Sequence, residues 1–303
     1  YDVVREFYIN DAGQQIRLLG ESILSRLMQM KNPEYPFPES GYHGEYIRDL
    51  AEEIAGQINP DLMPKEEAIE MCSQKGKEIM LEDIKHDLSV FRVSFDVWYS
   101  ESDLYNSSKL DNDLKTMKGN GHLYEEDGAL WIRTSDYGDD KDRVIKKKDG
   151  QFTYFASDIS YHLDKHKRGF SKAINIWGAD HHGYVPRIKA ALMTHSVPEN
   201  WLSVMLIQLV KLWKSGQEIK MSKRAGNFVT LQELVDEVGV DAVRFVFLTK
   251  NHDSTLDFDI DMVRRDGIRT CPTLIDYFDQ VLGDIDTEII VPSIIKPFCE
   301  LAA

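Results

Sequence analysis

A chain of 303 residues with 42% hydrophobic residues can bury one large core or two, and its composition is that of a soluble globular protein. Its formal net charge of −15 argues against a protein that coats nucleic acid with a basic face. Local basic runs, Lys146-Lys147-Lys148 and Lys165 to Arg168, still leave room for a nucleic-acid contact. Cys72, Cys271 and Cys299 lie far apart with no CxxC, which fits a reducing compartment and offers no zinc site. The longest apolar stretch, Val204 to Val210, is far too short to span a bilayer, and no signal peptide is visible. A start at Tyr1 without methionine raises the expectation of a chain that begins in mid-protein.

Taken in order, Tyr1 to Tyr8 reads as a short strand, since Val3, Val4, Phe7 and Tyr8 suit an extended chain. Gln14 to Met30 has helical spacing through Ile16, Leu19, Ile23, Leu24 and Leu27, with Asn10 and Asp11 available to cap it. Three prolines and two glycines make 32–44 a loop. Helices are predicted at Glu45 to Gln57 and Lys65 to Leu88, and an alternating strand from Phe91 to Trp98. Residues 121–154 read as strands and hairpins turning at Gly128 and Gly150. A helix then starts at Thr153. Ala173 to Trp177 is a short strand running into Gly178-Ala179-Asp180-His181-His182-Gly183 and a helix from Arg187 to Met193. Strand, polar glycine turn and helix make a half-unit of an open parallel sheet, where ligands meet the carboxyl ends of strands. Val204 to Val210 is a further strand. Thr230-Leu231-Gln232-Glu233 is a capping box, Gly239 stops that helix, and Asp241 opens another through Leu248.

The most informative stretch is Glu218 to Asn227, with Lys220, Met221, Ser222 and Lys223 between Gly216 and Gly226. Glycines free the backbone, so the charged tips can close over a ligand and reopen. Paired ammonium groups suit the negative charge that builds on a triphosphate losing pyrophosphate. Lys-Met-Ser-Lys in that order arises by chance in roughly one chain in a thousand of this length.

Tyr154 and Asp158 lie four apart on a predicted helix and point the same way, a sensible receptor for a guanidinium. Spacing alone favours the plainer reading, a half-buried tyrosine beside a solvated aspartate. Asp180-His181-His182 lacks a third metal ligand and suits polar contact with a nucleotide sugar, with Gly178 permitting close backbone approach. No phosphate loop of the Gly-x-x-x-x-Gly-Lys-Ser/Thr type occurs, which counts against P-loop ATPases.

Glu218 to Asn227 resembles the KMSKS signature loop of class I aminoacyl-tRNA synthetases. Tyr8 to Gly13, Gly41 to Gly44, Phe95 to Trp98, Asp139 to Val144, Trp177 to Gly183 and Lys220 to Asp261 together resemble arginyl-tRNA synthetases of bacterial type, over roughly residues 1–262. The resemblance implies an α/β fold: a Rossmann-type parallel-sheet core with an α+β connective insertion. It implies a first core piece at 1–30, the insertion at 31–150, a second core piece at 151–213, the loop and following helices at 214–263, and an unassigned tail at 264–303. It implies ATP-dependent activation of L-arginine, with Mg accompanying ATP, and transfer of arginine to its tRNA in the cytoplasm, with no membrane partner and no protein-bound metal. Tyr154 and Asp158, with Asp180, match the arginine pocket. Gly178, Asp180, His181, Lys220, Met221 and Lys223 match ATP-binding positions, and Lys220, Ser222 and Lys223 the catalytic loop.

The family's His-x-Gly-His signature, which lies upstream of the Tyr8 motif, does not occur here, and its helical anticodon-binding domain is not recognisable after Asp261. A piece of the enzyme, inactive in arginine activation by itself, is therefore expected. The competing reading is a non-catalytic arginine- or tRNA-binding fragment of the same family.

Overall fold

A computed structural model of the chain describes residues 2–220 and 229–266. In chain order the first elements are β1 (Glu6–Ile9), α1 (Gln14–Lys31), α2 (Tyr46–Ile54), α3 (Lys65–Val90), β2 (Val97–Ser100), α4 (Ser102–Asn106) and α5 (Lys109–Gly119). Then come β3 (Leu123–Glu126), β4 (Ala129–Ile132), β5 (Arg143–Lys146), α6 (Tyr154–Lys167), β6 (Ala173–Gly178), α7 (Val185–Met193) and β7 (Leu202–Ile207). The last are β8 (Val210–Lys214), β9 (Gln217–Glu218), α8 (Leu231–Val238), α9 (Val240–Leu248), β10 (Leu256–Asp259) and α10 (Ile260–Asp266). No helix among the described residues is long and apolar enough to cross a membrane.

Two compact units result. The described residues of Tyr1–Leu18 and Ser94–Gln208 form one, and those of Leu19–Val93 and Leu209–Ala303 the other. In the first, β1 pairs with β2 and β6 with β7, both in parallel. Parallel strands need a crossover, and α7 supplies it between β6 and β7. The expected strand–turn–helix half-unit is therefore present. An antiparallel meander, β3-β4-β5, turns at Asp127-Gly128, where φ is +54° and +78° and a small residue is favoured. α6 is central: Phe155, Ala156, Ile159 and Leu163 bury one stripe against Ile188, Leu192 and Leu202. Thr153 precedes it in extended conformation, its hydroxyl donating to the Val144 carbonyl at 2.9 Å. Lys165, His166 and Lys167 fill the last turn, where positive charge suits the helix dipole.

In the second unit α1, α2 and α3 enclose Ile23, Ile47, Ile54, Ile69 and Cys72. Burial pushes the Cys72 thiol up to about 12, so it stays an inert packing group. Gly20 of α1 meets α3 so closely that an added Cβ would lie 2.0 Å from Ser73 Oγ and 2.4 Å from the Ile69 carbonyl oxygen. A second core forms where β8 pairs in parallel with β10, and Leu212 and Phe258 pack under Leu234 and Val243. The Thr230 capping box is complete: its side chain accepts from the Glu233 amide, and the Glu233 side chain accepts from the Thr230 amide. Gly239, at φ +86°, ends α8.

Three expectations shift. The strand expected from Phe91 begins only at Val97, because residues 91–93 close α3. Arg92 sits at φ +58°, its amide donates to the Ser89 carbonyl, and the Val93 amide donates to Leu88 at 2.8 Å. The apolar run Val204 to Val210 is split between β7 and β8, which join different sheets. The strand placed at Tyr1 to Tyr8 is only Glu6–Ile9. α4 and α5, broken apart at Ser108 (φ +56°), fill a polar stretch whose buried positions reduce to Leu104, Leu110, Asp113 and Met117.

Candidate functional site

The amino-terminal half of α6 carries Tyr154, Ser157 and Asp158, and the structure reverses the plainer reading of that pair. Tyr154 is the open member, 59% exposed. Asp158 is the more covered member, half-buried, and the Tyr184 hydroxyl donates to its Oδ2 at 2.6 Å. Tyr184 is itself fixed by ring contacts with Phe155 and Trp177, each at 5.8 Å. Burial pushes the Asp158 carboxyl above its ordinary range, and the Tyr184 hydroxyl, His181 and Lys165 only partly offset this.

A second carboxylate acts on the same neighbourhood. Glu101, at the start of α4, is almost fully buried, and burial raises its carboxyl as well. Hydrogen bonding to Ser157 and Tyr8 opposes that rise, while the charges of Asp158 and Asp11 add to it. Its position is set by β1 and the segment after it. The Glu101 amide donates to the Ile9 carbonyl at 3.0 Å, and Asp11 accepts from the Ser100 hydroxyl at 2.7 Å and the Ser102 amide at 3.0 Å. Tyr8, tilted against Tyr161 at 4.5 Å and parallel to Tyr99 at 6.3 Å, has its hydroxyl raised by burial first and by Glu101 and Asp158 next. Tyr105 is raised by the same causes, with Tyr154 contributing.

Two desolvated carboxylates among phenols and a serine form a strongly electronegative site. Ionised acids in such surroundings are costly until a cation with several N–H donors meets them. A guanidinium is planar, always charged and carries five donors, which matches this chemistry.

At the carboxyl end of β6, Gly178 leads into the turn that bears Asp180 and His181. A Cβ on Gly178 would lie 2.6 Å from Asp180 Oδ1, so a larger residue there would turn the Asp180 carboxylate aside. Asp180 Oδ2 lies 3.8 Å from His181 Nε2, and both side chains are mostly exposed, at 76% and 59%. Asp180 thus stands in solvent beside His181 rather than among the buried acids, while His181 acts electrostatically on Asp158. Lys220 lies in the other unit, exposed, just past β9, and the Ile219 amide donates to the Leu212 carbonyl at 2.8 Å at the base of its loop. Met221, Ser222 and Lys223 lie outside the described residues. Among the described residues no group of three or more His, Cys, Asp or Glu is arranged to hold a metal ion.

Sequence reasoning missed Glu101, Tyr8, Ser157 and Tyr184 as members of the pocket. Ser157 shares a helix face with Tyr154 at i+3, and Tyr8 opens a motif already singled out. Tyr184 is 26 residues from Asp158, and only folding reveals that contact.

The sequence matches the family described as tRNA synthetases class I (R), catalytic domain, over residues 1–266, and the chain belongs to that family. Within this class its relatives are arginine–tRNA ligases. It is 48% identical over 302 residues to the one from Aquifex aeolicus, covering 87% of this chain and 52% of that protein. It is 48% identical over 264 residues to the one from Bacillus subtilis, covering 86% and 48%. The chain therefore spans about half the length of the curated relatives it matches. A solved structure from Campylobacter jejuni, assigned as an arginyl-tRNA synthetase, aligns with a TM-score of 0.78 at 40% identity, covering 92% of this chain and 62% of that one. Thermus thermophilus arginyl-tRNA synthetase aligns with a TM-score of 0.64 at 16% identity, covering 94% and 58%, and supports the fold. The Rossmann-type α/β class expected from sequence is thereby established.

Proposed function

We propose that the pocket between α4 and α6 binds the guanidinium of L-arginine, and that the chain supplies the catalytic region of an arginine–tRNA ligase. Asp158 and Glu101 carry the charge recognition, and Tyr154, Tyr8 and Tyr184 shape the pocket, with Asp180 at its mouth. ATP meets the carboxyl end of β6 at Gly178, Asp180 and His181. Lys220, Met221 and Lys223 are assigned to its phosphates, and Mg accompanies the nucleotide. The arginine carboxylate attacks the α-phosphate, pyrophosphate leaves, and the arginyl group passes to tRNA. Lys220, Ser222 and Lys223 stabilise the charge that builds on the departing pyrophosphate. A cytoplasmic setting and the division into core pieces with an insertion at 31–150 belong to the same reading.

The observation that carries it is the pair of desolvated carboxylates, Asp158 and Glu101, each raised first of all by burial. Calorimetric titration with L-arginine and L-citrulline tests it directly. Citrulline keeps the length and shape of arginine but replaces the cation with a neutral urea. Arginine is expected to bind about a hundredfold or more tighter, since a site built for a charged donor rejects its neutral analogue. Equal affinities, or no arginine binding, would overturn the assignment.

A further inference from the structure

Behind the pocket, Lys165, Asn175 and His162 form a buried chain of hydrogen bonds that ends on the main chain of Asp158. We propose that Asn175, held by Lys165, is a positioning residue: it fixes the ring of His162, and His162 fixes the backbone that carries Asp158. The inference rests on the arginine-pocket reading.

The direction of every bond in the chain follows from its first member. An ammonium can only donate, so Lys165 Nζ, 3.4 Å from Asn175 Oδ1, turns the amide oxygen toward itself. The amide nitrogen then faces His162 Nε2 at 2.6 Å and donates to it. Nε2 is therefore bare, and the ring proton sits on Nδ1, which donates to the Asp158 carbonyl oxygen at 2.7 Å. A carbonyl can only accept, so both ends of the relay demand the same tautomer. The ring is buried, and its pKa is pushed down to about 3, foremost by that burial and next by Lys165. His162 stays neutral and does not exchange protons with the pocket.

Lys165 is well placed to anchor the relay. Its side chain is 14% exposed, its ammonium lies 3.8 Å from Glu6 Oε1 on β1, and it sits 4.1 Å over the Tyr161 ring. Glu6 is also bound by Arg168 at 2.7 Å. Burial lowers the Lys165 ammonium to about 8, with Arg168 lowering it further and Glu6 and Asp158 opposing. The charged and titratable groups around the relay are thus Glu6 from β1, Asp158, Tyr161 and Lys165 from α6, and Arg168 at its C-cap. A shell of this kind orients the group that meets the ligand.

The test uses the isosteric variant Asn175→Asp. A carboxylate cannot donate to Nε2, so His162 must move its proton there or take a second one. In the wild-type chain, nitrogen-15 NMR should show His162 as the neutral Nδ1–H tautomer from pH 5.5 to 7, where Lys165 keeps its charge. In Asn175→Asp that signature should be lost, and arginine affinity should fall about tenfold and become pH-dependent, with ATP affinity unchanged. Finding the Nε2–H tautomer in the wild type overturns the proposal whether or not the variant folds. So does a folded Asn175→Asp chain that binds arginine within twofold of wild type at pH 6 and pH 8. Asp158→Asn separates the two readings. If it abolishes arginine binding while Asn175→Asp has no effect, the relay fails and the pocket stands. If neither variant weakens arginine, the pocket reading itself fails.

Discussion

The α1–α3 helix pair and the α6 region bury their interiors by opposite means. Where α1 meets α3, the contact is close-packed and set by shape: Gly20 leaves no room for a Cβ, and Ile23 packs over Gly76. Where α6 meets β6 and α7, the interior holds Asp158, His162 and Asn175, each satisfied by a specific partner. Shape-filled contacts favour stability and ask nothing of a ligand. Buried acids reduce stability in the empty protein and are tolerable where something arrives to neutralise them. The first region holds the fold, and the proposed function assigns binding to the second.

Substitutions that separate those two roles sharpen the contrast. Asp158→Ala should have the largest effect, weakening L-arginine by about 2–4 kcal/mol while leaving ATP affinity unchanged, as titration calorimetry would show. Gly20→Ala should behave in reverse. Its Cβ would press on the Ile69 carbonyl, and urea unfolding should register a loss of about 1–3 kcal/mol, with arginine affinity of the folded protein intact. Glu101→Gln should weaken arginine by about 1–2 kcal/mol, because the shape is kept and one charge is lost. Thr230→Ala, far from either feature in character, should cost only about 1 kcal/mol of stability through the lost cap. An effect of Gly20→Ala on arginine affinity as large as that of Asp158→Ala would erase the distinction.

Much of this was legible from sequence. The helix Gln14–Lys31, the capping box at Thr230 and the β6–α7–β7 unit follow from periodicity and punctuation, which are local. Tyr154 and Asp158 were visible as a pair through their i,i+4 spacing, but their environments were not, since burial depends on Tyr184 and Glu101 arriving from elsewhere in the chain. Glu101 looks like any acid in a polar stretch until Asp11 pins the residues on either side of it. Phe91 misled because a helix-closing turn can carry the same apolar residues as a strand. The charged loop at Lys220 was the loudest signal in the sequence, and most of it lies outside the described residues.

On the arginine-pocket reading, Asp158 is held in readiness for a cation at some expense to the empty fold. Its carboxyl is raised in the folded protein, so its contribution to stability is present below its unfolded pKa and is lost as pH rises through the folded value. Once ionised, the group therefore destabilises the unliganded chain. The measurement is the melting temperature of wild type and Asp158→Asn at pH 7, each with and without saturating L-arginine. The variant should melt higher than wild type without arginine, and arginine should raise the wild type alone. A variant that melts lower than wild type, and is still stabilised by arginine, would contradict the account.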